Sequence, residues 1–176
     1  MLRSLYTIIF CLTIVLAKAQ EERENRHRLT AVIGHAHVNR GLDLQDPKWL
    51  LLPSWGLDYD FWISPRVAVG LHSDIVLQNF SVESFPAREE EVLQRSFPVA
   101  LIFTGLYRLD EHLSLLAGGG VEIAEEETLG LWRLGAEYGW EISELWELNV
   151  NLVYDRKPEA YDTWTLGLGV SRWFDL

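Results

Sequence analysis

Between Leu131 and Asp155 the chain alternates residue by residue between an apolar and a polar set, with a single break. Trp132, Leu134, Ala136, Tyr138, Trp140 and Ile142 share one parity, and Arg133, Gly135, Glu137, Gly139 and Glu141 share the other. After Ser143-Glu144 the pattern resumes, with Trp146, Leu148, Val150, Leu152 and Tyr154 set against Glu147, Asn149, Asn151 and Val153. Successive side chains of a strand point to opposite faces, so this stretch predicts a hairpin with one apolar and one polar face. Each arm is about ten residues long, the length a tilted strand needs to cross a bilayer. Aromatic residues stand at both ends of the apolar face, Trp132 and Tyr154 at the open end, Trp140 and Trp146 at the turn. An apolar band between aromatic belts, with a polar opposite face, is the pattern of a transmembrane barrel strand. Strands in lipid must close on themselves, because an open sheet edge leaves backbone groups unpaired.

The start of the chain reads as a targeting segment and not as part of the fold. Arg3 supplies a positive charge, Leu5 to Leu16 form a short apolar run, and Ala17-Lys18-Ala19 is a small-x-small cleavage site. These predict a secretory signal peptide over residues 1–19. The apolar run falls short of the ~20 residues of a membrane-spanning helix. Cys11, the single cysteine, lies inside it, so the mature chain has no thiol, disulfide or thiolate metal ligand. Loss of Arg3 and Lys18 takes the net charge from −11 to −13. A chain this acidic, without a basic cluster, is not built for nucleic acid.

The rest divides into eight strand candidates. After a polar tail, residues 20–28, come Leu29–Val38, Pro53–Ile63, Val67–Leu77, Phe97–Leu109, Leu113–Ala124, the two arms of the hairpin, and Tyr161–Phe174. Their connections alternate between long and short. Asn39–Leu52, Gln78–Gln94, Glu125–Thr128 and Asp155–Asp162 are the longer loops; Ser64-Pro65-Arg66, Asp110-Glu111 and Ser143-Glu144 are tight turns. With the N-terminus in the periplasm, every tight turn is periplasmic and every long loop extracellular. That is the layout of an outer-membrane barrel, for which eight is the smallest strand number.

A soluble lipocalin-like barrel binding an apolar ligand also alternates, but with its apolar face inward. Glycine separates the two. Gly56, Gly70, Gly118, Gly120, Gly135, Gly139, Gly167 and Gly169 all lie on the face that carries Asp58, Glu122 and Glu137. Inside a narrow barrel, small residues make room for a few large polar ones; on a solvated outer face they only weaken the strand. The expected fold is therefore all-β, a closed eight-stranded antiparallel up-and-down transmembrane barrel over residues 29–174. The closing run Leu166-Gly167-Leu168-Gly169-Val170-Ser171-Arg172-Trp173-Phe174 resembles the aromatic-ended final strand of the small eight-stranded outer-membrane β-barrel family, although Asp175 and Leu176 follow it. The resemblance implies outer-membrane lipid as surroundings and the barrel-assembly machinery as a partner during biogenesis.

The expected lumen holds Asp58, Asp60, Asp74, Glu122, Glu137, Glu141 and Glu147, with Arg133, His72 and Arg108 as cations and Asn149 and Asn151 beside them. Buried charge needs partners, so these residues predict a hydrogen-bonded polar plug. A narrow cation pore is the alternative, opposed by the filled interior of eight-stranded barrels. The hairpin register, with residue numbers summing to about 287, sets Arg133 near Tyr154 and Asp155, with Glu122 in reach. His35-x-His37 places two imidazoles on one face of the first strand, near the carboxylates of the second, a weak pattern for zinc. Lipid-A modification would need a serine activated by a histidine. His72 and Ser73 are adjacent and so face opposite ways, which predicts no catalysis. No cofactor motif is present. The loops 39–52 and 78–94 are where an extracellular partner would bind.

Overall fold

The computed structural model describes residues 26–43, 46–83, 92–158 and 160–175; the signal peptide and Cys11 lie outside these. The strands are β1 (His27–Asp43), β2 (Asp46–Ser64), β3 (Val67–Val76), β4 (Phe80–Glu83), β5 (Val92–Arg95), β6 (Val99–Arg108), β7 (Leu113–Ile123), β8 (Thr128–Ser143), β9 (Trp146–Arg156) and β10 (Asp162–Phe174). Eight of them pair in the order β1-β2-β3-β6-β7-β8-β9-β10, and β10 pairs back to β1 from Phe174↔His27 to Thr163↔Val38. The sheet is closed and antiparallel throughout, so no barrel edge is left unpaired in the spanning region.

Side-chain direction follows the alternation. Leu57, Leu71, Phe103, Leu134, Leu148 and Leu168 are exposed on the outer surface, while Asp60, His72, Thr104, Glu137, Asn149 and Ser171 are buried inside. An outer surface of leucine, valine and tryptophan around a polar interior reverses the arrangement of a water-soluble protein, and it removes the lipocalin reading. In β6 the outward set is Leu101, Phe103 and Tyr107. In β1 the inward set is Thr30, Val32, Ala36 and Val38, a face too weakly polar for its direction to be plain in the sequence.

Rings cluster at both rims. At the tight-turn end His27 stacks on Phe174, with centroids 5.5 Å apart, and its Nδ1 is hydrogen-bonded to Tyr59 Oη at 2.7 Å. Nearby Tyr138 lies 4.7 Å from Trp140. At the long-loop end Tyr154 lies 4.7 Å from Trp164 and 6.0 Å from Trp132. Asp110 closes the β6–β7 turn by accepting the N–H groups of His112 and Leu113, both at 2.8 Å, and these hold its carboxyl below the usual carboxylate range.

Several boundaries move. The tail ends sooner than expected: Arg28 is a β1 residue and points inward. The segment 39–52 is no simple loop, since β1 runs on to Asp43 and β2 starts at Asp46, paired from Asp43↔Asp46 downwards with a register shift between Val38 and Gly41. The segment 78–94 carries β4 and most of β5, which pair with each other and join β1 through Gly41↔Val82. β6 starts at Val99 and not Phe97, because Phe97 takes a φ of 42° and Pro98 follows with no N–H for a ladder. β8 starts at Thr128, earlier than expected.

Gly56, Gly70, Gly139, Gly167 and Gly169 sit against Asp74, Asp60, Glu147, Asn151 and Asn149 on the neighbouring strand. A Cβ on Gly70 would collide with Asp60 Oδ1 and lie 2.7 Å from the Tyr59 carbonyl oxygen; one on Gly169 would collide with Asn149. Gly70→Ala is therefore expected to displace Asp60 and lower the temperature at which the folded band is lost on a gel. An unchanged temperature would mean that this face is looser than the packing shown.

Candidate functional site

The interior is divided into three charged layers between two apolar plugs. The lowest layer, towards the tight turns, centres on Arg28. Its guanidinium donates to Asp60 Oδ2 from Nη2 at 2.8 Å and from Nε at 3.1 Å, and from Nη1 to Glu137 at 2.5 Å and Glu147 at 3.2 Å. Four strands, β1, β2, β8 and β9, thus meet on one cation. His72 extends the layer into β3, with Nε2 3.0 Å from Asp60 Oδ1 and Nδ1 3.7 Å from Asp58.

The middle layer is Arg133 between Asp155 and Asp74. Nε and Nη2 reach the two oxygens of Asp155, each at 2.6 Å, a fork-on-fork pair, while Nη1 lies 2.6 Å from Asp74. Arg133 is 3% exposed, so it is a buried network cation and not a rim residue. Its register partner is Asp155, as expected from the hairpin, with a numerical sum of 288. The turn is Glu144-Leu145 and not Ser143-Glu144, which pairs Ser143 with Trp146 at a sum of 289, and the bulge between Glu141 and Ser143 takes back one residue. Glu122 is not among its partners.

Glu122 instead anchors the upper layer. It accepts from Arg95 Nη2 at 2.6 Å and Nε at 3.0 Å, lies 3.2 Å from Lys157 Nζ, and takes a hydrogen bond from the Tyr161 hydroxyl. Arg95 also donates to the Glu127 carbonyl at 2.7 Å. Because Arg95 belongs to β5, this cluster ties the β4–β5 hairpin across the barrel mouth. Above and around it Val38, Leu52, Phe80, Val82, Leu93, Leu129, Ala160 and Tyr161 form an apolar plug. At the opposite end Trp62 and Trp173, ring centroids 5.7 Å apart, pack with Ala68, Leu106, Leu116 and Val153. Arg108 lies 4.0 Å from the centre of the Trp62 ring and Arg28 lies 5.8 Å from it, which gives each cation an aromatic face.

Two cavities inside hold about 30 Å³ and 10 Å³. The smaller, lined by Asp58, His72, Asp74 and Asn151, is at the limit for one water molecule. The larger is lined by Asp74, Glu122, Arg133, Asp155, Lys157 and Tyr161, polar side chains of the middle and upper layers.

Of the residues singled out in the sequence, Asp58, Asp60, His72, Asp74, Glu122, Arg133, Glu137, Asn149 and Asn151 all line the interior. Asn149 donates to Ser171 Oγ at 2.8 Å. Glu141 does not join them: it is exposed at the tight-turn rim, beside Arg66, Arg108 and His112. His35 and His37 point outward, on the far side of the sheet from the carboxylates of β2, so no zinc site forms with those groups. Among the described residues no group of three or more His, Cys, Asp or Glu is placed to hold a metal. His72 is bound to two aspartates and Ser73 faces away from it. Sequence reasoning missed Arg28, Arg95, Lys157 and Tyr161. Of these Arg28 and Lys157 carried a signal, since Arg28 continues the parity of Thr30 and Val32 and Lys157 that of Val153 and Asp155.

The architecture is found in solved structures. Neisserial surface protein A aligns with a TM-score of 0.60 at 10% identity, covering 84% of this chain and 97% of that one. The N-terminal β-barrel domain of Pseudomonas aeruginosa OprF gives 0.53 at 12% identity, over 85% and 98%. Ail, the attachment invasion locus protein of Yersinia pestis, gives 0.52 at 14% identity, over 86% and 100%. The fold is that of a small outer-membrane β-barrel. At these identities the likeness concerns the fold alone. No protein-family model matches the sequence, and no curated protein sequence is similar to it.

Proposed function

We propose that the chain is an integral outer-membrane barrel with a structural, adhesive or envelope-maintenance role, delivered by a cleaved signal peptide over residues 1–19 and acting through its long-loop end. The observation that carries this reading is the pairing of an apolar, ring-edged outer surface with an interior filled by ion-paired and apolar side chains. A filled interior of this kind favours a scaffold over a conducting or substrate-binding barrel. The barrel would then serve to present the segments 39–52 and 78–94 above the membrane. The upper hairpin of β1 and β2 and the β4–β5 hairpin carry them, and Arg95 fixes the latter to the barrel wall. Rigid scaffolds with variable loops serve recognition well.

Cell fractionation tests the location. The mature protein is expected in the outer-membrane fraction, resistant to carbonate, and to migrate differently on a gel before and after boiling. Recovery as a soluble monomer would remove the membrane reading. A planar bilayer tests the filled interior: the purified barrel is expected to give no discrete conductance steps. Regular cation-selective steps would show that the apolar plugs open. Overexpression is expected to leave the mass spectrum of lipid A unchanged; a mass shift abolished by His72→Ala would make the chain an enzyme.

A further inference from the structure

Two imidazoles that the barrel reading leaves without a role stand side by side on its outer surface. We propose that His35 and His37 chelate one divalent transition-metal ion, of the Cu²⁺ or Zn²⁺ class, on the outward face of β1.

The spacing is the first support. Residues two apart in a strand project from the same face with Cα atoms about 6.7 Å apart, near enough for two imidazole rings to converge on one ion. Both side chains are exposed. The surroundings are the second. The register sets His37 between Trp164 of β10 and Leu51 of β2, and His35 between Leu166 and Pro53. None of these four neighbours offers a charge that would occupy or repel an ion. The level is the third. His37 lies opposite Trp164, which packs on Tyr154 in the upper ring belt, where the apolar band gives way to water. Two protein ligands therefore leave coordination positions that water can fill, and the site is open.

The choice of metal follows from the ligands. Neutral imidazole suits copper, zinc and nickel, and among divalent first-row ions affinity peaks at Cu²⁺. Calcium and magnesium prefer oxygen, which this pair does not supply. The remaining described histidines are each committed elsewhere: His27 to Tyr59, His72 to Asp60 and Asp58, and His112, through Nδ1, to the Gly139 carbonyl at 3.0 Å. Only strand one places two on one face. Because a ligand nitrogen must be unprotonated, occupancy falls on acidification.

The experiment uses the folded full barrel in non-ionic detergent without phosphate, so that lipid phosphate cannot contribute. Titration with CuCl₂, followed by calorimetry and electron paramagnetic resonance, is expected to show one ion per chain with coupling to two imidazole nitrogens. His35→Ala and His37→Ala are each expected to weaken binding at least tenfold, and the double variant to abolish it, while His112→Ala leaves it unchanged. Both positions are exposed, and the shift on boiling verifies that each variant is folded. Absence of binding to the unsubstituted chain would overturn the proposal, and the imidazoles would then be members of the ring belt only. Binding that survives the double variant would overturn it as well. Neither outcome depends on where in the cell the barrel resides.

Discussion

Replacing Arg28 with methionine is expected to cost the barrel about 3–5 kcal/mol, the usual penalty for leaving buried charge without its partner. Asp60, Glu137 and Glu147 all depend on that one guanidinium, and they come from three different strands. Methionine keeps much of the contact with Trp62 and Trp173, so the loss reports on charge and hydrogen bonding more than on a cavity. Urea unfolding of the barrel refolded in lipid vesicles measures it. A second substitution separates the causes: Glu137→Gln alone should destabilise, yet in the Arg28→Met background it should cost less, because one unpaired carboxylate has been removed. An Arg28→Met barrel as stable as the parent would mean that the lower layer is wet and the carboxylates are hydrated.

Arg133→Met follows the same logic on a smaller scale, since it frees Asp74 and Asp155 only. It too should lower stability measurably, and the bidentate geometry predicts that Arg133→Lys does not restore the loss.

Leu168→Arg is the corresponding test of the outer surface. Leu168 lies midway along β10, 60% exposed, between Ile33 of β1 and Val150 of β9. Arginine facing lipid near the bilayer midplane costs roughly 2–4 kcal/mol. Membrane insertion should be impaired, whereas Leu168→Phe should be tolerated, because the ring is apolar and nothing crowds that face. Normal insertion of the arginine variant would mean that Leu168 does not meet the hydrocarbon core.

Each prediction draws on a different share of sequence and structure. The outer surface was legible residue by residue, because a strand has a period of two and a bilayer imposes one polarity on half of it. Leu134, Leu148 and Leu168 could be assigned outward, and Asp58, Glu122 and Glu137 inward, with no knowledge of which strands touch. The Arg133–Asp155 pair was also within reach, since a two-residue turn sets the register of the hairpin around it. His35 and His37 were visible as a pair, but the thin polarity of β1 left their side undecided, and closure of the sheet put them outside. Parity pointed Arg28 inward, but its partners were out of reach for a related reason. Asp60 depends on the β1–β2 register, set where Asp43 pairs with Asp46 in a stretch that composition alone makes a loop, and Glu137 and Glu147 come within reach only through closure of β1 on β10. Arg95 lies further still from any local signal: it reaches Glu122 only because β4 and β5 fold back over the barrel mouth. Alternation determined which residues meet lipid and which meet one another's charge. Only the closed sheet decided which cation neutralises which carboxylates, because ion pairs across a barrel depend on register between strands that are distant in sequence.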